Sequence, residues 1–144
     1  MVDVVDKATR SRMMSGIRGE NTKPELMIRS ALHKRGFRYR LHVASLPGKP
    51  DIVFKKYRAV IFVNGCFWHG HQCEYFKWPK TNRRFWKKKI NGNIRRDAFV
   101  HESLKKASWR YFLVWECEIR LAVRRGRVDA LVASLGKKIS RGWG

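Results

Sequence analysis

Acidic side chains are scarce in this chain: 11 Asp and Glu stand against 33 Lys and Arg, a formal net charge of +22 over 144 residues. A balance this one-sided argues for a polyanionic partner, nucleic acid first, because neutralised phosphates release counterions and drive association. A membrane surface fits less well, since the basic residues are not gathered into one amphipathic segment. Cysteine is rarer still. Three cysteines give no disulfide framework and read as thiols or zinc ligands. Long apolar runs are missing, which excludes a bilayer-spanning helix, and the charged, broken N-terminus is unlike a secretory signal. A cytoplasmic protein is expected. Internal repeats and low-complexity linkers are also lacking, so residues 1–144 are expected to form a single domain large enough to bury a core.

What is present reads in order along the chain. Asp6 is placed to cap a helix from about Lys7 to Arg18, within a basic N-terminal segment, residues 1–20. Thr22-Lys23-Pro24-Glu25 is a capping box with proline in the first turn, which predicts a helix to about Arg35 ending at Gly36. Alternation over Phe37–His42 predicts a half-buried strand. The loop Leu46–Pro50 then delivers Asp51 to a short apolar run, Ile52–Phe54. Ala59–Val63 reads as a buried strand after a turn at Lys55–Arg58. A helix is predicted from about Thr81 to Lys106, with Trp86, Ile90, Ile94, Ala98 and Leu104 near one face and a weak point at Asn91-Gly92. Arg110–Trp115 is a further strand with Glu116-Cys117 at its end. A last helix covers about Arg127–Lys138, and residues 142–144 should be loose. The order predicts an α/β layer arrangement with functional groups at strand ends.

Gly65-Cys66-Phe67-Trp68-His69-Gly70-His71-Gln72-Cys73 packs two thiols, two imidazoles and two large aromatics together. With Cys117, the cysteines and one histidine complete a tetrahedral zinc site, and the other histidine is left over for chemistry. Such a closed site would clamp the loop to the sheet; the alternative is a set of buried free thiols. Asp51 is the only carboxylate between Glu25 and Glu74. It suits a hard cation such as Mg²⁺ directed at phosphate, or else caps a turn or pairs with a nearby cation. Phe67 and Trp68, between candidate zinc ligands, suit wedging bases apart, or else pack in the core. Trp86 fits ordinary helix packing. A non-catalytic, zinc-stabilised nucleic-acid-binding protein would explain charge, zinc and aromatics, but gives Asp51 and the spare histidine no role. A basic ribonucleoprotein component explains only the charge.

Asp6–Ser11, Ala44–Gly48, Pro50-Asp51, the run Val60–Cys73 and Val114–Cys117 together closely resemble the very short patch repair (Vsr) DNA mismatch endonucleases of bacteria, over nearly the whole chain to about Arg120. The resemblance implies a restriction-endonuclease-like fold of PD-(D/E)xK type, a mixed central sheet flanked by helices. It implies a strand-specific nick 5′ of the thymine in a T·G mismatch left by deamination of 5-methylcytosine. It further implies Mg²⁺ on Asp51 and the main-chain carbonyl of Val63, His69 as general base, and structural Zn²⁺ on Cys66, His71, Cys73 and Cys117. Phe67, Trp68 and Trp86 would enter the duplex, and Lys and Arg between Arg83 and Arg96 would contact phosphates. Glu25 and Asp97 match polar positions near the family's active site. Asn64 stands where studied members carry histidine; it can donate a hydrogen bond but no proton near neutral pH. The implied protein works as a monomer, with duplex DNA as substrate, alongside the bacterial nucleoid. MutL-type repair proteins and DNA polymerase I would follow it.

Overall fold

The computed structural model describes residues 21–141; the expected helix at Lys7–Arg18, the segment 1–20 and residues 142–144 lie outside them. Helix α1 (Lys23–Lys34) starts as the capping box requires, with the Thr22 side chain accepting from the Glu25 amide and Pro24 in the first turn. It buries Glu25, Ile28 and Leu32. Strand β1 is only Arg40–Leu41, shorter than the alternation predicts. Its partner β2 (Ile52–Phe54) is three residues long and offers few ladder positions. Phe37 and Tyr39 keep the expected alternation but spend it on packing, edge-on to Phe54 at 5.7 and 5.9 Å.

A 3₁₀ turn at Lys55–Tyr57 leads into β3 (Ala59–Asn64). The crossover helix α2 (Arg83–Lys106) then returns the chain to β4 (Arg110–Trp115). The sheet order is β1-β2-β3-β4, antiparallel except for the β3–β4 pair, which is parallel. This is a mixed four-stranded sheet with helices, the α/β arrangement expected. Period-two alternation divides its faces. Ile52, Phe54, Ala59 and Ile61 face α1 and the C-terminal helices, whereas Val53 and Val60 face Val100 and Leu104 of α2.

Three expectations about the second half are corrected. Helix α2 runs unbroken through Asn91-Gly92; a glycine there costs only about 1 kcal/mol, and the turns on either side are anchored by burial. Its buried face is Ile90, Asn93, Val100 and Leu104, while Ile94 and Ala98 are exposed, because Asn93 turns inward to donate to the Trp68 carbonyl at 2.9 Å. Finally, Glu116-Cys117 opens a further helix, α3 (Glu116–Arg124), before α4 (Val128–Ser140). Glu118 reaches back to accept the Trp115 amide at 3.1 Å, and Glu116 and Glu118 place negative charge at a helix N-terminus, where it is favoured.

Candidate functional site

The parallel pairing of β3 with β4 builds the site, because register sets Val63 beside Val114 and Asn64 beside Trp115. Both strands therefore end at the same level, and the loop after β3 meets the first turn of α3. The loop folds on itself through His69 N–H to Gly65 C=O, Gly70 N–H to Phe67 C=O and His71 N–H to Cys66 C=O. Gly70 has φ +61°, a left-handed conformation that favours glycine, and lies close against Ile90 and Ile94 of α2.

One ligand atom each from Cys66, His71, Cys73 and Cys117 lies within 4.8 Å of the other three. The Cys117 Sγ to His71 Nδ1 separation is 3.6 Å, the edge expected of a tetrahedron with bonds of about 2.3 Å to sulfur and about 2.0 Å to nitrogen. The donor set thus fits a closed zinc site. Burial pushes the Cys66 thiol up to about 12 and raises Cys117 too, so the thiols call for a cation to become ligands. The Cys117 amide already points at Cys66 Sγ, 3.4 Å away. His71 lies flat on the Trp115 indole, with ring centroids 3.9 Å apart, which fixes its orientation.

Next to this cluster lies a cavity of about 560 Å³ whose walls include Asp51, Val63, Asn64, His69, Arg96 and Asp97. The left-over histidine is His69. Its Nδ1 is 2.6 Å from Asp97 Oδ2; a carboxylate only accepts, so Nδ1 carries the hydrogen and Nε2 is left with its lone pair. An imidazole oriented in this way can take a proton from a nucleophile. Asp51 is 8% exposed, and its Oδ2 accepts the Val63 amide at 2.7 Å, which brings the Val63 main chain alongside. Burial pushes the Asp51 carboxyl up to about 7; the nearby Glu25 charge adds to this, and the Val63 N–H, His42 and His69 oppose it. A carboxylate beside strand backbone, in a cavity that disfavours bare negative charge, fits a hard cation.

Glu25 is fully buried and stands behind Asp51, off the cavity wall. It serves the helix cap as the sequence allows, accepting from the Asn21 amide at 3.2 Å. It also binds Arg29 at 2.7 Å and His42 at 2.9 and 3.1 Å. His42 is the site residue that sequence reasoning misses. The three aromatics are brought together as well: Phe67 meets Trp68 at 5.1 Å and Trp86 at 5.4 Å, and Trp68 lies 5.8 Å from Trp86. All three are half-buried, and Trp68 also lines the cavity.

A family model described as DNA mismatch endonuclease Vsr matches residues 2–75. The Escherichia coli (strain K12) DNA mismatch endonuclease Vsr is 47% identical over 120 residues, covering 83% of this chain and 77% of its own. The chain belongs to the Vsr family. Two further relatives are nicking enzymes: type II nicking enzyme V.XorIIP of Xanthomonas oryzae pv. oryzae, 44% identical over 83% of this chain and 88% of its own, and type II nicking enzyme V.NmeAIP of Neisseria meningitidis, 41% identical over 94% and 97%. Among the described residues, no helix is long and apolar enough to cross a membrane.

Proposed function

We propose that this Vsr-family protein is a Mg²⁺-dependent DNA endonuclease that nicks one strand 5′ of the thymine in a T·G mismatch. The single observation that carries the reading is the meeting of the His69–Asp97 pair with Asp51 in one cavity at the ends of paired strands. Mg²⁺, held by Asp51 and the Val63 carbonyl, would offset charge developing on the scissile phosphate. His69 Nε2 takes a proton from the attacking water, and Asp97 holds the ring through Nδ1 in that tautomer. The water oxygen forms the new P–O bond, the bond to the leaving nucleoside oxygen breaks, and that oxygen is protonated by solvent. Asn64, 6% exposed on the cavity wall, orients the phosphate by donating a hydrogen bond.

The remaining parts have matching roles. Zn²⁺ on Cys66, His71, Cys73 and Cys117 clamps the loop. Phe67, Trp68 and Trp86 enter the duplex beside the lesion, where a wobble pair is easier to unstack than a matched one. Arg83, Arg84, Lys87, Lys88, Arg95 and Arg96 are exposed along α2 and take backbone phosphates. The fold is of restriction-endonuclease type, and the chain acts as a monomeric single domain, since an asymmetric lesion requires no second copy. MutL-type proteins and DNA polymerase I act after the nick.

The test is a labelled duplex with one T·G pair, incubated with Mg²⁺ or with EDTA beside a matched control. A Mg²⁺-dependent nick in the thymine strand is expected, and Asp51→Ala and His69→Ala should each remove most of it while duplex binding persists. No nick in any flanking context would refute the enzyme reading, leaving a binding protein.

A further inference from the structure

The reaction outlined above leaves one polar arrangement unused, the pair of buried Glu25 and half-buried His42 behind Asp51. His42 sits opposite Asp51 where β1 ends, and its main-chain N–H donates to the Asp51 carbonyl at 3.1 Å. Its ring Nε2 lies 2.9 and 3.1 Å from the two oxygens of Glu25. Since carboxylate oxygens only accept, Nε2 carries the hydrogen and one N–H is shared across both. Donor atoms of Glu25, His42 and Asp51 all fall within 4.8 Å of one another. His42 has φ +48°, a left-handed backbone uncommon outside glycine and costly to hold. The ring and main-chain bonds together hold that conformation.

We infer that His42 is a positioning residue for the cation site. It joins α1 to the residue that carries the cation ligand, and it holds the Glu25 carboxylate turned toward Asp51 from behind. Glu25 is fully buried and is held from two sides, by Arg29, its i+4 neighbour, at 2.7 Å and by the His42 ring. Held by His42, it adds negative potential behind Asp51 without entering the cavity. The requirement is for a side-chain N–H donor of this reach, and glutamine supplies one as well as histidine does. The inference rests on the reading of Asp51 as cation ligand.

The test uses the full chain with His42→Leu and His42→Gln. Mg²⁺ is titrated in the T·G nicking reaction at saturating duplex, Mn²⁺ binding without DNA is followed by electron paramagnetic resonance, and duplex affinity is measured in EDTA. His42→Leu should raise the half-saturating Mg²⁺ and the Mn²⁺ dissociation constant about tenfold, the usual effect of losing a partner one layer behind a ligand, with duplex affinity unchanged. His42→Gln should restore both to within about twofold. Wild-type cation dependence in His42→Leu overturns the inference, as does equal loss in the two variants. If His42→Leu does not fold, His42→Gln decides alone: a cation midpoint shifted more than about threefold from wild type overturns it. Unchanged Mn²⁺ binding in Asp51→Ala would instead overturn the underlying reading.

Discussion

His69 and Asp97 are 2.6 Å apart and on the proposed mechanism act as one unit, so their separate contributions should not add. Replacing Asp97 with Asn allows the amide to donate toward Nδ1 and so favours the wrong tautomer, which should slow single-turnover nicking by a hundredfold or more, roughly. His69→Ala with Asp97→Asn should then be no slower than His69→Ala alone by more than about threefold. Asp51 makes a prediction of opposite sign for stability. Its carboxyl is raised from 3.8 to about 7 by burial, so the folded state holds a proton that the unfolded chain releases. The stability this brings is fully present below pH 3.8 and lost as pH rises through about 7. Asp51→Asn keeps an oxygen for the Val63 amide and carries no charge. In urea unfolding without Mg²⁺, it should match wild type at low pH and exceed it at pH 8 by on the order of 3 kcal/mol. It should not nick. On the proposed reading Asp51 is an active-site group that destabilises its own fold, a familiar trade.

Among the elements, α1, β2, β3, α2 and β4 were legible from the sequence because each carries its own signal, a capping box, a continuous apolar run or a helical apolar face, and α4 was placed on a weaker one. Helix α3 was not. Its first residues continue directly from a strand, with no loop or Gly/Pro break between, and only the glutamates of its first turn mark the change. The grouping of Cys66, His71, Cys73 and Cys117 was legible from residue types because thiols and imidazoles are chemically distinctive. His42 was illegible because its partner Glu25 lies 17 positions away, and a histidine at the end of an alternating stretch reads as an exposed strand residue. The Asp97 partnership was likewise set by where α2 crosses the sheet. Another contact of that crossing is testable at Gly48, with φ +75° and a Cβ position 2.5 Å from Val100 Cγ1. Gly48→Ala should cost about 1–3 kcal/mol through strain and overpacking together. Adding Val100→Ala should recover only the packing share, read as a partial return of the urea midpoint.

For the whole molecule, charge dominates. A net charge of +22 predicts duplex binding that weakens steeply with salt, with log K falling by about 0.9 per phosphate neutralised for each unit of log salt. Arg84→Ala with Lys88→Ala should lower that slope by about two and weaken matched and mismatched duplexes nearly equally. Trp68→Ala should instead narrow the gap between them and leave the slope unchanged.

The proposed zinc ligands also divide the chain topologically. Between Cys66 and Cys117 lies a segment that a bound metal closes into a ring, and His69, Asp97, Phe67, Trp68 and Trp86 are all on it. Asp51, His42 and Glu25 are outside. Stripping zinc with a chelator that spares Mn²⁺ should therefore open the ring and remove base and wedge together, while Mn²⁺ still binds at Asp51, a half-enzyme visible by paramagnetic resonance yet unable to nick.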